Sequence, residues 1–357
     1  MAKINLKFGK KLEKYGALDF NACYNCGTCT AICSLSNEED SFPREMVRYS
    51  ILGLNNEIRH SLKPWLCYYC GECTTHCPME AKPGELMMSL RRYLISVYDW
   101  TGISGLLYRN LFVHIISFLM VIAGIAGLFV SGIFSNEEWL HYGHYFEMFA
   151  IIGVFGLILL PNIVRMWYYT VWTNSEKKLS VKNYLQSLSE LVVHMFVQKN
   201  TLTCEDSREN KIWWLEHLLL VISYLSLLVT TVFLNWFTTR YTIVIIMGYL
   251  FSILIFIITT DFIIRRLRRR TEKSTFSHPS DWLFVIWMSL LGISTFAVRL
   301  LIDLNILETN FLIYLVHLVI LVQWALILVP FGKWTHFLYR SFAMYFEKIR
   351  LSSIKAA

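Results

Sequence analysis

Six long runs without a charged residue fill the second part of the sequence and constrain its fold more than any other feature. Between the flanking charges they cover residues 110–136, 148–164, 217–239, 241–260, 282–298 and 309–332. A helix needs roughly 20 apolar residues to cross a bilayer of about 30 Å. Four runs are long enough as they stand, and the stems of Arg165 and Arg299 can extend the two shorter ones by snorkelling. The runs therefore predict six membrane-spanning helices.

The positions of the basic residues give these spans a direction. With both termini on one side, 19 of the 21 Lys and Arg residues beyond residue 100 lie on that side, and only Arg240 and Arg299 lie on the other. Cytoplasmic loops carry such an excess of positive charge. No apolar stretch follows the basic opening residues, so we expect no secretory signal peptide. We therefore expect a multi-pass protein of the cytoplasmic (inner) membrane, with both termini on the cytoplasmic side.

The composition agrees with a membrane location. The chain of 357 residues is 55% hydrophobic and 17% charged, with a formal net charge of +7. A positive charge can indicate nucleic-acid binding, but residues 1–100 carry 12 Lys+Arg against 11 Asp+Glu. The excess lies among the apolar runs, where membrane topology explains it. We expect the lipid bilayer as a partner and no nucleic acid.

Eight of the nine cysteines fall in two short clusters near the N-terminus. The first reads CYNCGTCTAIC and the second CYYCGECTTHCP, so both have the spacing C-x2-C-x2-C-x3-C. This spacing, found twice, is typical of a domain with two [4Fe-4S] clusters, in which three close cysteines bind one cluster and the fourth reaches the other. We expect one cluster on Cys23, Cys26, Cys29 and Cys77, and a second on Cys67, Cys70, Cys73 and Cys33.

Other roles for these cysteines fit less well. Disulfides are disfavoured in a reducing cytoplasm, and structural zinc prefers separated CxxC pairs. Ser34 follows the first run where a proline is usual, but proline is not a ligand. His76 lies inside the second run and is expected to be a neighbour of the cluster. The ninth cysteine, Cys204, is alone in the linker between the second and third runs, and we assign it no role.

Histidines at membrane depth are candidate haem ligands, because ionisable side chains are costly in a bilayer and haem b in a helical bundle is held between two His. His217 begins the third run and His336 follows the sixth, so this pair is expected to bind an inner haem b. His317 lies 19 residues before His336, roughly 28 Å at about 1.5 Å per residue. It would serve an outer haem with His144 as its partner, or with His141.

Four further side chains are weaker candidates. Arg109, Arg165 and Arg299 lie at depths where they could pair with haem propionates, although snorkelling explains them equally well. His114, about one and a half turns into the first run, either binds the inner haem or lines a quinone pocket. Simple hydrogen bonding is the alternative for every membrane His. We find no Walker loop, dinucleotide fingerprint or nucleophile with its base, so no catalytic residue is predicted.

These patterns predict a mainly α-helical protein in three parts. Residues 1–100 form an α-helical ferredoxin-like domain with two [4Fe-4S] clusters, residues 101–340 a six-helix transmembrane cytochrome b bundle, and residues 341–357 a cytoplasmic tail. An amphipathic helix at about 180–199 is expected to lie at the membrane surface. The spans are expected at about 108–134, 145–169, 213–238, 241–264, 281–301 and 309–332.

At this point the residues resemble a known family. The double cysteine motif resembles the C subunits of heterodisulfide reductases, and the membrane part is similar to the gamma subunits of respiratory nitrate reductases, above all in HLVILVQWALILVPFGKWTH. Their fusion resembles the C subunits of quinone-interacting membrane-bound oxidoreductases of sulfur-metabolising microbes. In the nitrate reductase family two His of the last helix pair with two of an earlier helix, which corresponds here to His317 and His336 with His217.

The chain departs from that family at one expected ligand. About ten residues beyond His217 it has Leu227 and Leu228 in place of His. The resemblance therefore implies either a single haem b, or a second one for which His144 or His141 substitutes.

The resemblance also implies a function. A subunit of this family passes electrons between menaquinone and cytoplasmic subunits that carry flavin and iron–sulfur clusters, and these lead onward to adenylylsulfate reductase. Two alternatives stay open: the same scaffold in a heterodisulfide or other thiol-disulfide reductase complex, and a haem-free iron–sulfur membrane anchor. An iron–sulfur redox sensor is disfavoured because six spans exceed what tethering needs.

Overall fold

The computed structural model describes residues 3–37, 40–174, 180–197, 208–269 and 275–355. These residues form helices and their connections, with no strand among them. Cys204 and the expected end of the surface helix, residues 198–199, lie outside the described residues. The mainly helical fold that the sequence predicts is confirmed.

The N-terminal domain consists of short helices around one long one. In chain order its α-helices are α1 (Phe8–Glu13), α2 (Thr28–Ile32), α3 (Arg44–Ile51), α4 (Asn55–His60), α5 (Lys63–Leu66), α6 (Glu72–Thr75), α7 (Pro83–Tyr98) and α8 (Ile103–Arg109).

Helix α7 forms the centre of this domain. It begins with Pro83, whose fixed φ and missing N–H suit the first turn of a helix. Leu86, Leu90 and Leu94 recur every four residues and are fully buried, so they form one apolar stripe. Helix α1 packs on α7 through Phe8, and the remaining short helices cover its other sides.

Six regions of the described chain are helices long and apolar enough to cross a membrane, as the sequence predicts. In chain order they are α9 (Leu111–Val130), α10 (Asn136–Trp172), α12 (Lys211–Phe233), α13 (Thr242–Arg268), α14 (Pro279–Asp303) and the region Glu308–Ser352. Helix α11 (Val181–Phe196) lies between the second and third of them.

Helix α10 begins well before the expected position near residue 145. Its N-terminus is fixed by a capping box, in which the Ser135 side chain accepts from the backbone N–H of Glu138 and the Glu138 side chain accepts from that of Ser135. Such a box satisfies two of the free N–H groups at a helix start. The polar residues 136–147 therefore extend the helix beyond the uncharged run.

The last region is two helices joined by a break at Gly332. The first, α15, begins as Phe311–Gln323 and ends at Val329–Phe331, and the second, α16, is Thr335–Lys355. Residues 341–355, expected as a tail, are thus helical. This helix buries four side chains against the N-terminal domain and α11: Leu338, Tyr339, Phe346 and Ile349. This packing orders a segment that we expected to be a tail.

Helix α11 has the character of a helix at a membrane surface. Val181, Leu185, Leu188 and Val192 are exposed at helical spacing, while Tyr184 and Leu191 pack toward the core. An exposed apolar stripe opposite a packed face is typical of an interfacial helix.

The N-terminal domain packs directly on one end of the bundle. The backbone carbonyl of Tyr98 accepts a 3.0 Å hydrogen bond from Nε of Arg165 in α10. The backbone N–H of Trp100 donates to Oδ1 of Asn162, also at 3.0 Å. One apolar core runs from α1 and α7 into α10 and α16, so the two parts share their packing.

Candidate functional site

The two cysteine motifs fold in the same way. Within each, the residue before the second cysteine has a positive φ, +66° at Asn25 and +57° at Tyr69. The glycine after that cysteine also has a positive φ, +92° at Gly27 and +95° at Gly71, and it is the N-cap of a short helix. Glycine adopts this conformation without steric cost. The repeated sequence therefore gives a repeated turn.

This turn directs backbone N–H groups at the first sulfur of each motif. The N–H of Asn25 donates to Sγ of Cys23 at 3.4 Å, and the N–H of Tyr69 donates to Sγ of Cys67 at the same distance. Hydrogen bonds to sulfur stabilise the thiolate form and tune the potential of an iron–sulfur cluster.

The first group of cysteines joins both motifs. Burial and, after it, the charges of the neighbouring Cys23, Cys26 and Cys77 thiolates together raise the pKa of Cys29 to about 11. Cys77 belongs to the second motif by sequence, yet it lies within electrostatic reach of Cys29 in the first motif.

The second group is the counterpart of the first. Cys67 and Cys70 raise the pKa of Cys33, after the larger effect of burial. Burial likewise raises the pKa of Cys73, with Cys67, Cys70, Cys29 and Cys33 adding to it. The fourth cysteine of the first motif therefore lies with the second motif, and the contribution of Cys29 shows that the groups are neighbours.

These thiols fit a polynuclear cation. All eight cysteines of the two motifs are free of disulfides, and thiolates that destabilise one another need positive charge between them. Within the described ranges, no three His, Cys, Asp or Glu side chains are arranged around a single metal ion. Free thiols in two neighbouring groups are the donors that two [4Fe-4S] clusters need.

Residues 22–81 match the family model described as a 4Fe-4S dicluster domain. The chain carries a 4Fe-4S dicluster domain. No curated protein and no solved structure matches the chain. The match covers the two cysteine motifs and the helices between them, and it does not extend into the bundle.

His336, the expected inner haem ligand of α16, touches the dicluster domain. Its ring lies 6.0 Å from that of Trp65, which is fully buried and is two residues from Cys67. Arg91 holds this corner by donating from Nε to the backbone carbonyl of Pro64 at 2.7 Å and from its NH2 group to that of Cys67. Burial lowers the pKa of Arg91 to about 9, and the Cys67 thiolate opposes that shift.

His217, the expected partner of His336, is on the neighbouring helix α12. It lies within electrostatic reach of His336, and its ring stacks on Trp213 with centroids 5.3 Å apart. Nδ1 of His217 is buried without a hydrogen-bond partner among the described residues. The two histidines are therefore brought to the same end of the bundle, beside the dicluster domain.

His317 has the arrangement of a metal-ligating histidine. It is 2% exposed, and its Nδ1 lies 2.9 Å from Oγ of Ser294. That hydroxyl donates to the carbonyl of Leu291, so it accepts from Nδ1 of the ring. Nε2 is left buried and unpaired within the part of the chain that the structure describes. Ligating histidines commonly donate one ring N–H to the protein and bind metal with the other nitrogen.

His144 is the expected partner of His317 for an outer haem. His144 is on α10 next to Gly143, whose backbone lies against Tyr314 and Leu318. This part of α10 therefore packs on the helix that carries His317. Among the described residues no hydrogen bond or ring contact joins these two histidines. The ring of His144 lies near that of Tyr145, and the ring of His141 lies near those of Tyr142 and Tyr145.

The three candidate arginines all have protein partners. Nε of Arg109 donates to the carbonyl of Gly105 at 2.6 Å. Arg299 is 4% exposed and pairs with Asp303 at 2.8 Å. Arg165 binds the end of α7, as described above. Their role toward haem propionates stays a prediction.

The sequence reasoning missed an ion-pair network at the junction. Asp281 in the first turn of α14 pairs with Arg92 of α7 at 3.2 Å and with Lys333 at 2.8 Å. Asp281 and Arg92 are both buried. Trp65 was missed as well, although its position just before Cys67 was a usable signal. The partners in this network are far apart in the sequence, so no local pattern marks it.

Proposed function

We propose that the chain is the membrane subunit of a quinone-linked respiratory oxidoreductase complex. It would pass electrons between the menaquinone pool and cytoplasmic partner subunits through haem b and two [4Fe-4S] clusters. The proposal goes beyond the coarser function that the dicluster domain and the six apolar helices support, which is membrane electron transfer.

The contact between Trp65 and His336 carries this proposal. Trp65 belongs to the dicluster domain two residues before Cys67, and His336 faces it from the bundle at 6.0 Å. A domain that only tethered the clusters would not need a histidine at this contact. Trp65 therefore adjoins an expected cluster ligand, Cys67, in the sequence and an expected haem ligand, His336, in space.

The cofactor ligands follow from the groupings of the site. We assign one [4Fe-4S] cluster to the group of Cys29 and the other to the group of Cys73, as the spacing predicts. His217 and His336 would hold the inner haem b, and His317 an outer one with His144 as partner. When bound, these groups supply one-electron carriers, while the chain sets their spacing, burial and hydrogen bonding.

We place the dicluster domain and both termini on the cytoplasmic side of the inner membrane. The last turn of α13 holds Arg265, Arg266 and Arg268 at the end of the bundle that carries the dicluster domain, and the first turn of α10 holds Glu137 and Glu138 at the opposite end. This asymmetry supports the orientation. Flavin and iron–sulfur subunits would dock on the dicluster domain. As the resemblance implies, they would connect it to adenylylsulfate reductase in sulfur metabolism.

Anaerobic reduction of the purified chain in lipid nanodiscs tests this function. A menaquinol analogue should reduce haem b, seen by its absorption bands, and then the clusters, seen by electron paramagnetic resonance. Trp65→Leu should slow electron transfer between haem and clusters, while Trp139→Leu, at the far end of the bundle, should not. Clusters that accept electrons only from dithionite would contradict the proposal.

A further inference from the structure

A cavity of about 160 Å³ lies where the first and fifth spans begin. Its walls come from α8, the first turns of α9 and the N-terminus of α14, and Lys14 reaches its edge. Leu107, Leu111 and Leu283 give it apolar surface. A cavity of about 150 Å³ is large enough to bind benzene, so this cavity can take a ring-sized group.

Two buried polar atoms of residues that line this cavity lack a hydrogen-bond partner among the described residues. They are Nε2 of His114 and the hydroxyl of Tyr108, on side chains that are 4% and 5% exposed. The His114 ring also hydrogen-bonds to the backbone of Leu107, which fixes its orientation. Buried polar groups are nearly always hydrogen-bonded, so two unpaired ones at one cavity indicate a site for a polar ligand.

We propose that this cavity binds the headgroup of a quinone or quinol from the membrane pool, with His114 and Tyr108 as its hydrogen-bonding residues. The inference rests on the function proposed above and names the place where the chain takes up its membrane substrate. A quinone headgroup is a flat ring with two oxygens. A neutral imidazole accepts from a quinol hydroxyl, a protonated one donates to a quinone carbonyl, and a phenol does either.

The charge distribution favours a quinone over a phospholipid headgroup. Burial raises the pKa of the Tyr108 phenol, so that group is uncharged inside the cavity. The cationic side chains, Lys14 and Arg109, are exposed at its edge. A phosphate prefers ionised donors, whereas a neutral quinone needs only uncharged hydrogen-bonding groups such as His114 and Tyr108. Leu111 beside the opening is 48% exposed, so an isoprenoid tail can leave toward lipid.

The cavity is also close to the expected inner haem ligand. His278 lines it and lies within electrostatic reach of His114 and Lys333. Lys333 is likewise within reach of His336. Lys333, which pairs with Asp281, is therefore within electrostatic reach of both the cavity and His336.

Equilibrium binding tests the site. The full chain in phosphatidylcholine nanodiscs is titrated with tritium-labelled menaquinone that carries a short isoprenyl tail. Tyr108→Phe removes one hydroxyl and should raise Kd about tenfold, the effect of one buried hydrogen bond. His114→Leu should raise Kd at least as much. The matched controls, Tyr145→Phe at the opposite end of the bundle and His60→Leu in the dicluster domain, should bind like the wild type.

Haem and iron contents, measured on the same samples, separate the possible failures. If the wild type binds menaquinone and both cavity variants bind it equally well, the quinone site is elsewhere and only this inference fails. Loss of haem b from His114→Leu would make His114 a haem ligand and overturn it as well. A bound phospholipid that Lys14→Ala releases, and with which menaquinone does not compete, would make the cavity a lipid site. A wild type that binds no menaquinone would overturn the quinone-linked function itself.

Discussion

The dicluster domain and the bundle hold their candidate ligands in different ways. In the dicluster domain the cysteines of each motif lie within one turn and a short helix, so sequence spacing nearly determines their geometry. In the bundle His217, His317 and His336 come from separate helices, and only the packing decides which of them face one another. Local repeats can therefore predict ligand sets, whereas a ligand set within the membrane depends on contacts between distant segments.

The largest effect should come from the cysteines. Cys29→Ser removes a buried thiolate from the first group, and non-haem iron should fall from about eight to about four atoms per chain because one of two [4Fe-4S] clusters is lost. Iron analysis and electron paramagnetic resonance measure this. Cys204→Ser, which changes the one cysteine outside both motifs, should leave the iron content unchanged. An equal non-haem iron content in the two variants would show that the motif spacing assigns the cluster ligands wrongly.

Substitution of the bundle histidines should affect two separate haem signals. His217→Ala and His336→Ala should each abolish the same haem b signal, since a six-coordinate haem needs both axial ligands. His317→Ala should remove a different signal or, if one haem is bound, none. His60→Ala in the dicluster domain is the control. Loss of the same signal in all three bundle variants would contradict separate inner and outer sites.

The junction between the two regions should depend on its buried charges. Asp281→Asn leaves Arg92 and Lys333 without their carboxylate, and breaking a buried pair in this way costs about 3–5 kcal/mol. Thermal unfolding of the chain in detergent should show the loss. The exposed pair of Lys82 and Asp19 gives the control, because Asp19→Asn should cost about 0–1 kcal/mol. Equal effects of the two changes would mean that the junction does not bear on stability.

The smallest effect concerns the support of one histidine. Ser294→Ala removes the hydroxyl that accepts from Nδ1 of His317, and loss of such a partner commonly weakens metal binding about 10–100-fold. Haem occupancy under limiting haem should therefore fall, with recovery at excess haem. The neighbouring Thr295 donates only to a backbone carbonyl, so Thr295→Val should keep its occupancy. An unchanged haem occupancy in Ser294→Ala would contradict the prediction that His317 binds haem with help from its hydrogen bond to Ser294.

The sequence predicts the helical class, the dicluster domain and the six apolar helices, because each depends on local composition or on a short repeat. It does not predict the continuation of helix beyond Gly332, since that helix is ordered by burial of Leu338 and Phe346 against other segments. It also misses Trp65 and Tyr108, which are ordinary aromatic residues until their neighbours are known. The cavity beside His114 depends on helices that begin about 170 residues apart in the chain.

Quantitation of haem b and non-haem iron on one purified sample tests the central claim most directly. Haem extraction with a dithionite-reduced spectrum should give one or two haem b per chain, together with about eight iron atoms from two [4Fe-4S] clusters. Two haems would extend the relay to His317, and one would confine it to His217 and His336. Iron clusters without haem would contradict the account and leave an iron–sulfur domain on a membrane anchor.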